Sequence, residues 1–126
     1  MKGVIIAAGY GTRFLPSTKT IPKEMLPIID IPTIEFTVRE FVDSGISEIL
    51  IVSSRRKKAI EDYFDREMEL EAVFEKKQAT EKLMKLRASE KLANFHFVRQ
   101  KEMKGTAHAI LLAKSFVGDE PFVVAY

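Results

Sequence analysis

A Rossmann-like, doubly wound α/β domain with a mainly parallel sheet and flanking helices is the fold this sequence predicts. Three observations predict it. Short apolar-rich runs recur at Val4–Ala8, Glu48–Ser53, Phe95–Arg99 and Pro121–Tyr126. Helical segments separate them, which implies crossover connections and parallel strands. The first run also ends in a glycine turn, Gly9-Tyr10-Gly11, where such folds place ligands.

The elements follow in chain order. Val4–Ala8 is wholly apolar, as a strand covered on both faces must be. Pro32–Ser44 reads as a helix, with Pro32 in its first turn and Gly45 just past its end. Ile34, Val38, Phe41 and Val42 fall at i, i+4, i+7 and i+8, one face. Glu48–Ser53 is the second strand. Ser54 is the predicted cap of a helix through Phe64, with Ala59, Ile60, Tyr63 and Phe64 inward. The stretch from about 65 to 93 is charged and lacks Gly and Pro. Its apolar residues Leu70, Val73, Phe74, Leu83 and Leu86 predict one or two exposed amphipathic helices, a helical insertion. Phe95–Arg99 is a third strand, and Thr106–Lys114 a helix with Ala107, Ile110 and Leu111 inward. After a turn at Gly118–Pro121 the fourth strand runs to Tyr126.

Composition excludes several functions. With 126 residues the chain is one domain in length. Twenty basic and eighteen acidic residues give a net charge of +2, too little for a broad nucleic-acid-binding face. There is no cysteine, so no disulfide, thiolate zinc site or cysteine nucleophile. No apolar run is long enough for a membrane helix. The apolar start is too short for a secretion signal and reads as a strand of a cytoplasmic protein.

The glycine turn invites a phosphate, because glycines let the backbone approach a ligand and expose its amides. Neither common nucleotide motif fits. Phe14 stands where a dinucleotide fingerprint needs its third glycine and where a Walker loop fails as well. Arg13 follows the turn, and Lys23 lies in a stiff segment between Pro22 and Pro27. A fork and a point charge beside a glycine turn suit a polyphosphate; a solvated loop is the alternative.

The stretches Ala7-Ala8-Gly9-Tyr10-Gly11-Thr12-Arg13-Phe14-Leu15-Pro16 and Pro22-Lys23-Glu24-Met25-Leu26-Pro27-Ile28 resemble the sugar-nucleotide pyrophosphorylases. They look most like the bacterial UTP–glucose-1-phosphate uridylyltransferases, as do the charged stretch from Glu67 to Lys91 and Phe97-Val98-Arg99-Gln100-Lys101-Glu102. The resemblance implies the nucleotide-diphospho-sugar transferase type of fold. It implies transfer of uridylyl from UTP to glucose 1-phosphate, giving UDP-glucose and pyrophosphate.

Roles also come with the resemblance. The backbone at Ala8 and Gly9 holds the uracil, Gln100 reads its edge and Gly105 borders it. Gly11, Thr12 and Arg13 line the triphosphate, with Arg13 on the leaving pyrophosphate. Lys23 neutralises phosphate at the reacting centre, and Glu24 lies close to the nucleoside. Mg²⁺ is the implied cofactor, held by an aspartate expected beyond residue 126. On this reading residues 1–126 are the N-terminal nucleotide-binding portion of a single, truncated nucleotidyltransferase domain, inactive alone. The implied partners are the two substrates and further copies of the chain, with no nucleic acid and no membrane.

The sequence departs from the family at Ala107, where Gly-Leu-Gly-His-Ala is usual and Gly105-Thr106-Ala107-His108-Ala109 stands. Alanine costs about 1 kcal/mol or more if the position needs a left-handed backbone. At a helix start it is harmless or helpful. His108 reads as a structural or capping histidine, His96 as an exposed strand residue, and Arg55-Arg56-Lys57-Lys58 as a solvated surface run. Two other functions stand beside the main one: a nucleotide-binding fragment without catalysis, and a thymidylyltransferase using dTTP.

Overall fold

The computed structural model describes residues 1–126. Four parallel strands form the sheet: β1 (Lys2–Ile6), β4 (Glu48–Ser53), β5 (Asn94–Arg99) and β6 (Phe122–Ala125), in the spatial order β5-β4-β1-β6. Residues β2 (Pro27–Ile28) and β3 (Ile31–Pro32) make a small separate hairpin. The helices are α1 (Thr33–Asp43), α2 (Lys58–Tyr63), α3 (Met68–Lys76), α4 (Thr80–Ala88), α5 (Thr106–Leu111) and α6 (Lys114–Val117). The predicted α/β class, the parallel sheet and the helical flanks are all present.

Side-chain alternation along the strands divides the core in two. Ile5, Ile49 and Ile51 face one side and pack on Ile34, Val38 and Phe41 of α1 and on Ile60 and Phe64. Val4, Leu50 and Val52 face the other and pack on Ala109, Ala113 and Val117. The central strands β1 and β4 are thus covered on both faces, which is why their sequences lack a polar alternation, whereas the edge strand β5 exposes Asn94, His96 and Arg99. Gly3 is required by closeness: a Cβ there would stand 2.6 Å from the Phe41 ring.

Several elements differ from the sequence reading. β1 ends at Ile6, two residues early, and Ala7 and Ala8 turn away as buried backbone. Ala7 still donates its N–H to Val52 O at 2.8 Å, so the ladder outlasts the strand by one bond. Pro32 belongs to β3 and precedes α1, which starts at Thr33. Ser54 opens a single 3₁₀ turn at Arg55–Lys57 without a side-chain cap, and α2 begins only at Lys58. Ala59 is exposed.

Helix α5 faces the sheet in a different phase. Ala107 and Leu111 point outward, while Ala109 and Ala113 are buried. The segment is apolar nearly all round, so periodicity could not fix its phase. Packing chose the small alanines for the close approach to Val4, Leu50 and Val52. Of the apolar residues in α3 and α4, Leu70 and Val73 are exposed, and Phe74, Leu83 and Leu86 are half-buried. The buried residue of that pair is Glu71, held by Arg66 at 2.7 Å and by Arg87 at 3.0 Å.

Candidate functional site

In chain order the sheet builds from β1 outward to β4 and β5, then crosses back over β1 to β6. The order reverses between β1 and β6, and a ligand crevice opens beyond the carboxyl ends of strands at such a reversal. Two cavities lie there. Each is bounded by Ile6 at the end of β1 and by Tyr126 after β6.

The cavity on the α5 side has about 250 Å³ and is lined by Ala8, Gly9, Lys23, Gln100, Met103 and Gly105, among others. Five of the nine predicted site residues therefore meet around one space, although they span nearly a hundred positions in sequence. The cavity on the α1 side has about 340 Å³ and includes Phe14, Lys23, Glu24 and Thr37. Lys23 borders both cavities. A third, of about 430 Å³, lies on the outer side of the glycine turn among Tyr10, Thr18, Lys19, Ser54 and Arg56.

Each loop has a local reason for its shape. Gly11 adopts φ +66°, and Thr18 Oγ1 donates to its carbonyl at 2.6 Å. A Cβ at Gly11 would meet both that left-handed backbone and the side chains of Lys23 and Thr18 at 3.3 Å. Three short 3₁₀ turns follow, at Thr12–Phe14, Ser17–Lys19 and Lys23–Met25. Thr12 and Arg13 lie on the first and are exposed, and Arg13 makes no ion pair. Gly105 precedes α5 at φ +89°, ψ 179°, a conformation that only glycine adopts without strain. Ala107 lies inside α5 with a helical backbone, so its departure from the glycine of the resemblance carries no strain.

Gln100 follows β5 and is 5% exposed. Its backbone N–H donates to Ser53 O at 2.7 Å, tying the loop to β4. Its side-chain nitrogen donates to Gly105 O at 3.3 Å and to His108 Nδ1 at 3.0 Å. Two donors thus meet two acceptors, and the amide oxygen is left without a partner in the chain. His108 is not a cap of α5; its part is to turn this amide. No periodicity in the residues around 100 and 108 signals that pairing.

Glu24, for which the resemblance implies a nucleoside contact, borders the cavity on the α1 side. Its side chain is only 10% exposed and receives Lys57 Nζ on both carboxylate oxygens, at 3.0 Å for Oε2. Lys57 is 4% exposed, so the charge run Arg55–Lys58 is not wholly a solvated surface. Arg55, Arg56 and Lys58 are exposed, as that reading expects, and the Arg56 guanidinium lies 5.5 Å from the centre of the Tyr10 ring. His96 is exposed, as expected, and contacts Glu48 at 3.0 Å. Asn94 and His96 together hold the Glu48 carboxyl below its ordinary range.

No three acidic or histidine side chains come together as a metal-binding group. Glu24, the acidic residue nearest the glycine turn, is engaged by Lys57. These residues do not form a magnesium site. No helix is long and apolar enough to cross a membrane.

Comparison with known proteins gives a consistent picture. The chain is 54% identical over 123 residues to the UTP–glucose-1-phosphate uridylyltransferase of Bacillus subtilis (strain 168), covering 98% of this chain and 42% of that protein. It is 55% identical to the protein of that name from Staphylococcus epidermidis, covering 43% of it. Among solved structures, UTP-bound UGPase from Acinetobacter baumannii superposes with a TM-score of 0.92 at 45% identity, over 98% of this chain and 44% of that one. A glucose-1-phosphate thymidylyltransferase structure from Bacillus anthracis, described as putative, gives 0.76 at 26% identity over 98% and 42%. The chain thus spans less than half the length of these relatives. The family model for nucleotidyl transferases matches residues 2–126, and the chain belongs to that family.

Proposed function

We propose that this chain is the nucleotide-holding part of a UTP–glucose-1-phosphate uridylyltransferase. The observation that carries the reading is the convergence of Ala8, Gly9, Lys23, Gln100 and Gly105 on one cavity at the strand reversal. The uridylyltransferase relatives at 54–55% identity support uracil over thymine, against 26% for the thymidylyltransferase.

The base is selected by hydrogen-bond polarity. Gln100 turns both amide hydrogens inward, to Gly105 O and His108 Nδ1, and offers its carbonyl oxygen outward. An outward acceptor pairs with the N3–H of uracil. The corresponding atoms of cytosine and adenine are acceptors and meet it with repulsion.

The reaction joins two anions. A phosphate oxygen of glucose 1-phosphate attacks the α-phosphorus of UTP, and pyrophosphate leaves from the opposite side. The attacking oxygen is already ionised at neutral pH, so no general base is needed. The obstacle is charge repulsion, and fixed cations and backbone amides reduce it. In this reading the amides of Gly11 and Thr12 face the triphosphate, Arg13 the leaving pyrophosphate, and Lys23 the reacting phosphorus. Glu24 lies beside Lys23 at the cavity wall and is paired with Lys57.

The proposal extends to setting and assembly. In this reading the protein works in the cytoplasm. The outer edge of β6 and the exposed Leu70, Val73 and Met84 support self-association, which light scattering would detect. The decisive experiment is calorimetric competition on the 126-residue chain. UTP should displace ATP readily and bind at least as well as dTTP. Tighter binding of ATP would overturn the reading, and clear preference for dTTP would move it to the thymidylyl branch.

A further inference from the structure

We propose that Lys57 is a positioning residue for the triphosphate: by holding the Glu24 carboxylate it keeps the adjacent Lys23 ammonium free for phosphate. This rests on the uridylyl-transfer reading above.

The pair joins two loops that are 33 residues apart in sequence. Lys57 ends the 3₁₀ turn after β4, and Glu24 lies on the 3₁₀ turn between Pro22 and Pro27. Both side chains are at least nine-tenths buried. Two such charges are tolerated only together, since removing one leaves the other buried and uncompensated. Arg55, Arg56 and Lys58 beside Lys57 are exposed, so one cation of the four is drawn inward and the partner that draws it is Glu24.

The geometry around Glu24 explains what the pair is for. Met25 N donates to Pro22 O at 2.9 Å and Leu26 N to Lys23 O at 3.1 Å, which makes the turn tight. Lys23 and Glu24 therefore move as one unit, and both border the 340 Å³ cavity. Only Lys23 also reaches the cavity that holds Gln100 and Gly105, and it makes no ion pair. Without Lys57 the Glu24 carboxylate would have Lys23 as its neighbouring cation across a shared space. A Glu24–Lys23 pair would cancel the charge offered to phosphate and turn the ammonium from the nucleotide.

The inference separates phosphate from base, which a merely structural role would not. UTP and uridine are titrated calorimetrically into the unaltered chain, Lys57→Met and the double variant Glu24→Gln/Lys57→Met. Lys57→Met should weaken UTP by about tenfold or more, the value of one charge-assisted contact, and leave uridine unchanged. The double variant removes both buried charges and should regain most of the UTP affinity. It also decides the matter if Lys57→Met alone fails to fold. Unchanged UTP binding by Lys57→Met would overturn the inference. So would an equal loss for uridine, or a double variant with UTP still weakened. Failure of the unaltered chain to bind UTP would instead sink the functional reading itself.

Discussion

The Gln100 side-chain nitrogen lies 3.0 Å from His108 Nδ1, and this contact sets which edge of the amide faces the cavity beyond β1. The histidine must carry its proton on Nε2 for Nδ1 to accept. With Gly105 O taking the second amide hydrogen, the Gln100 oxygen has no alternative orientation that keeps both bonds.

Base selection is the first consequence. Gln100→Leu removes the outward acceptor and should abolish the preference for UTP over ATP. His108→Ala frees one amide hydrogen, so the amide can turn and serve the N3 acceptor of cytosine. Affinity for CTP should then rise relative to UTP. Calorimetry with the three nucleotides checks both, and an unchanged CTP-to-UTP ratio in His108→Ala would remove the orienting role.

Charge is the second. Arg13→Ala and Lys23→Ala should each weaken UTP by about tenfold or more while sparing uridine. Arg56 is not an inert control, because it lies over Tyr10 on the outer side of the glycine turn. Lys58 is suitable: it is exposed and pairs with Asp62 at 3.0 Å within α2. Lys58→Ala should leave UTP binding unchanged, and equal losses at Lys58 and Lys23 would point to general electrostatics.

Two neighbouring positions should respond oppositely to the same pair of residues. Gly105→Ala forces a side chain onto φ +89° and should cost on the order of 1–3 kcal/mol of stability. Ala107→Gly puts glycine inside α5 and should cost about 1 kcal/mol. Thermal unfolding of both variants measures this. A gain in stability for Ala107→Gly would mean the position is not helical.

The α3–α4 pair should be acid-sensitive. Arg66 and then Arg87 hold the Glu71 carboxyl below its ordinary range. A lowered folded-state value means the stabilisation is complete above the unfolded carboxylate pKa. It is lost as pH falls through the folded one. Glu71→Gln should therefore be less stable than the unaltered chain at neutral pH, with the gap closing in acid. Unfolding curves from pH 7 to about 3 test it; a gap independent of pH would assign the loss to packing.

The central strands β1 and β4 were legible because burial on both faces leaves an apolar signature that needs no partner to recognise. Ile34, Val38 and Phe41 were legible for the same reason, as one face of a helix. Local pattern failed where a distant partner decides. Nothing near Lys57 announces Glu24, and a run of four cations reads as solvent-exposed until the loops are brought together. The phase of α5 was hidden by its uniform apolarity, and the sheet resolved it through Ala109 and Ala113. In the site, the glycine turn and its cations could be read from residue chemistry. Gln100 and Gly105 came only through family resemblance, and the hydrogen bonds that orient Gln100 came only from the fold.

The central claim is that Ala8, Gly9, Lys23, Gln100 and Gly105 form one uracil-nucleotide site. Titrating UTP into isotopically labelled chain, with nuclear magnetic resonance read at each position, tests it most directly. The backbone amides of Ala8, Gly9 and Gly105 and the side-chain amide of Gln100 should shift together along one saturation curve, with Glu71 and Arg87 unmoved. Shifts confined to Thr18, Lys19 and Ser54 on the outer side of the glycine turn, with the Gln100 amide still, would contradict it.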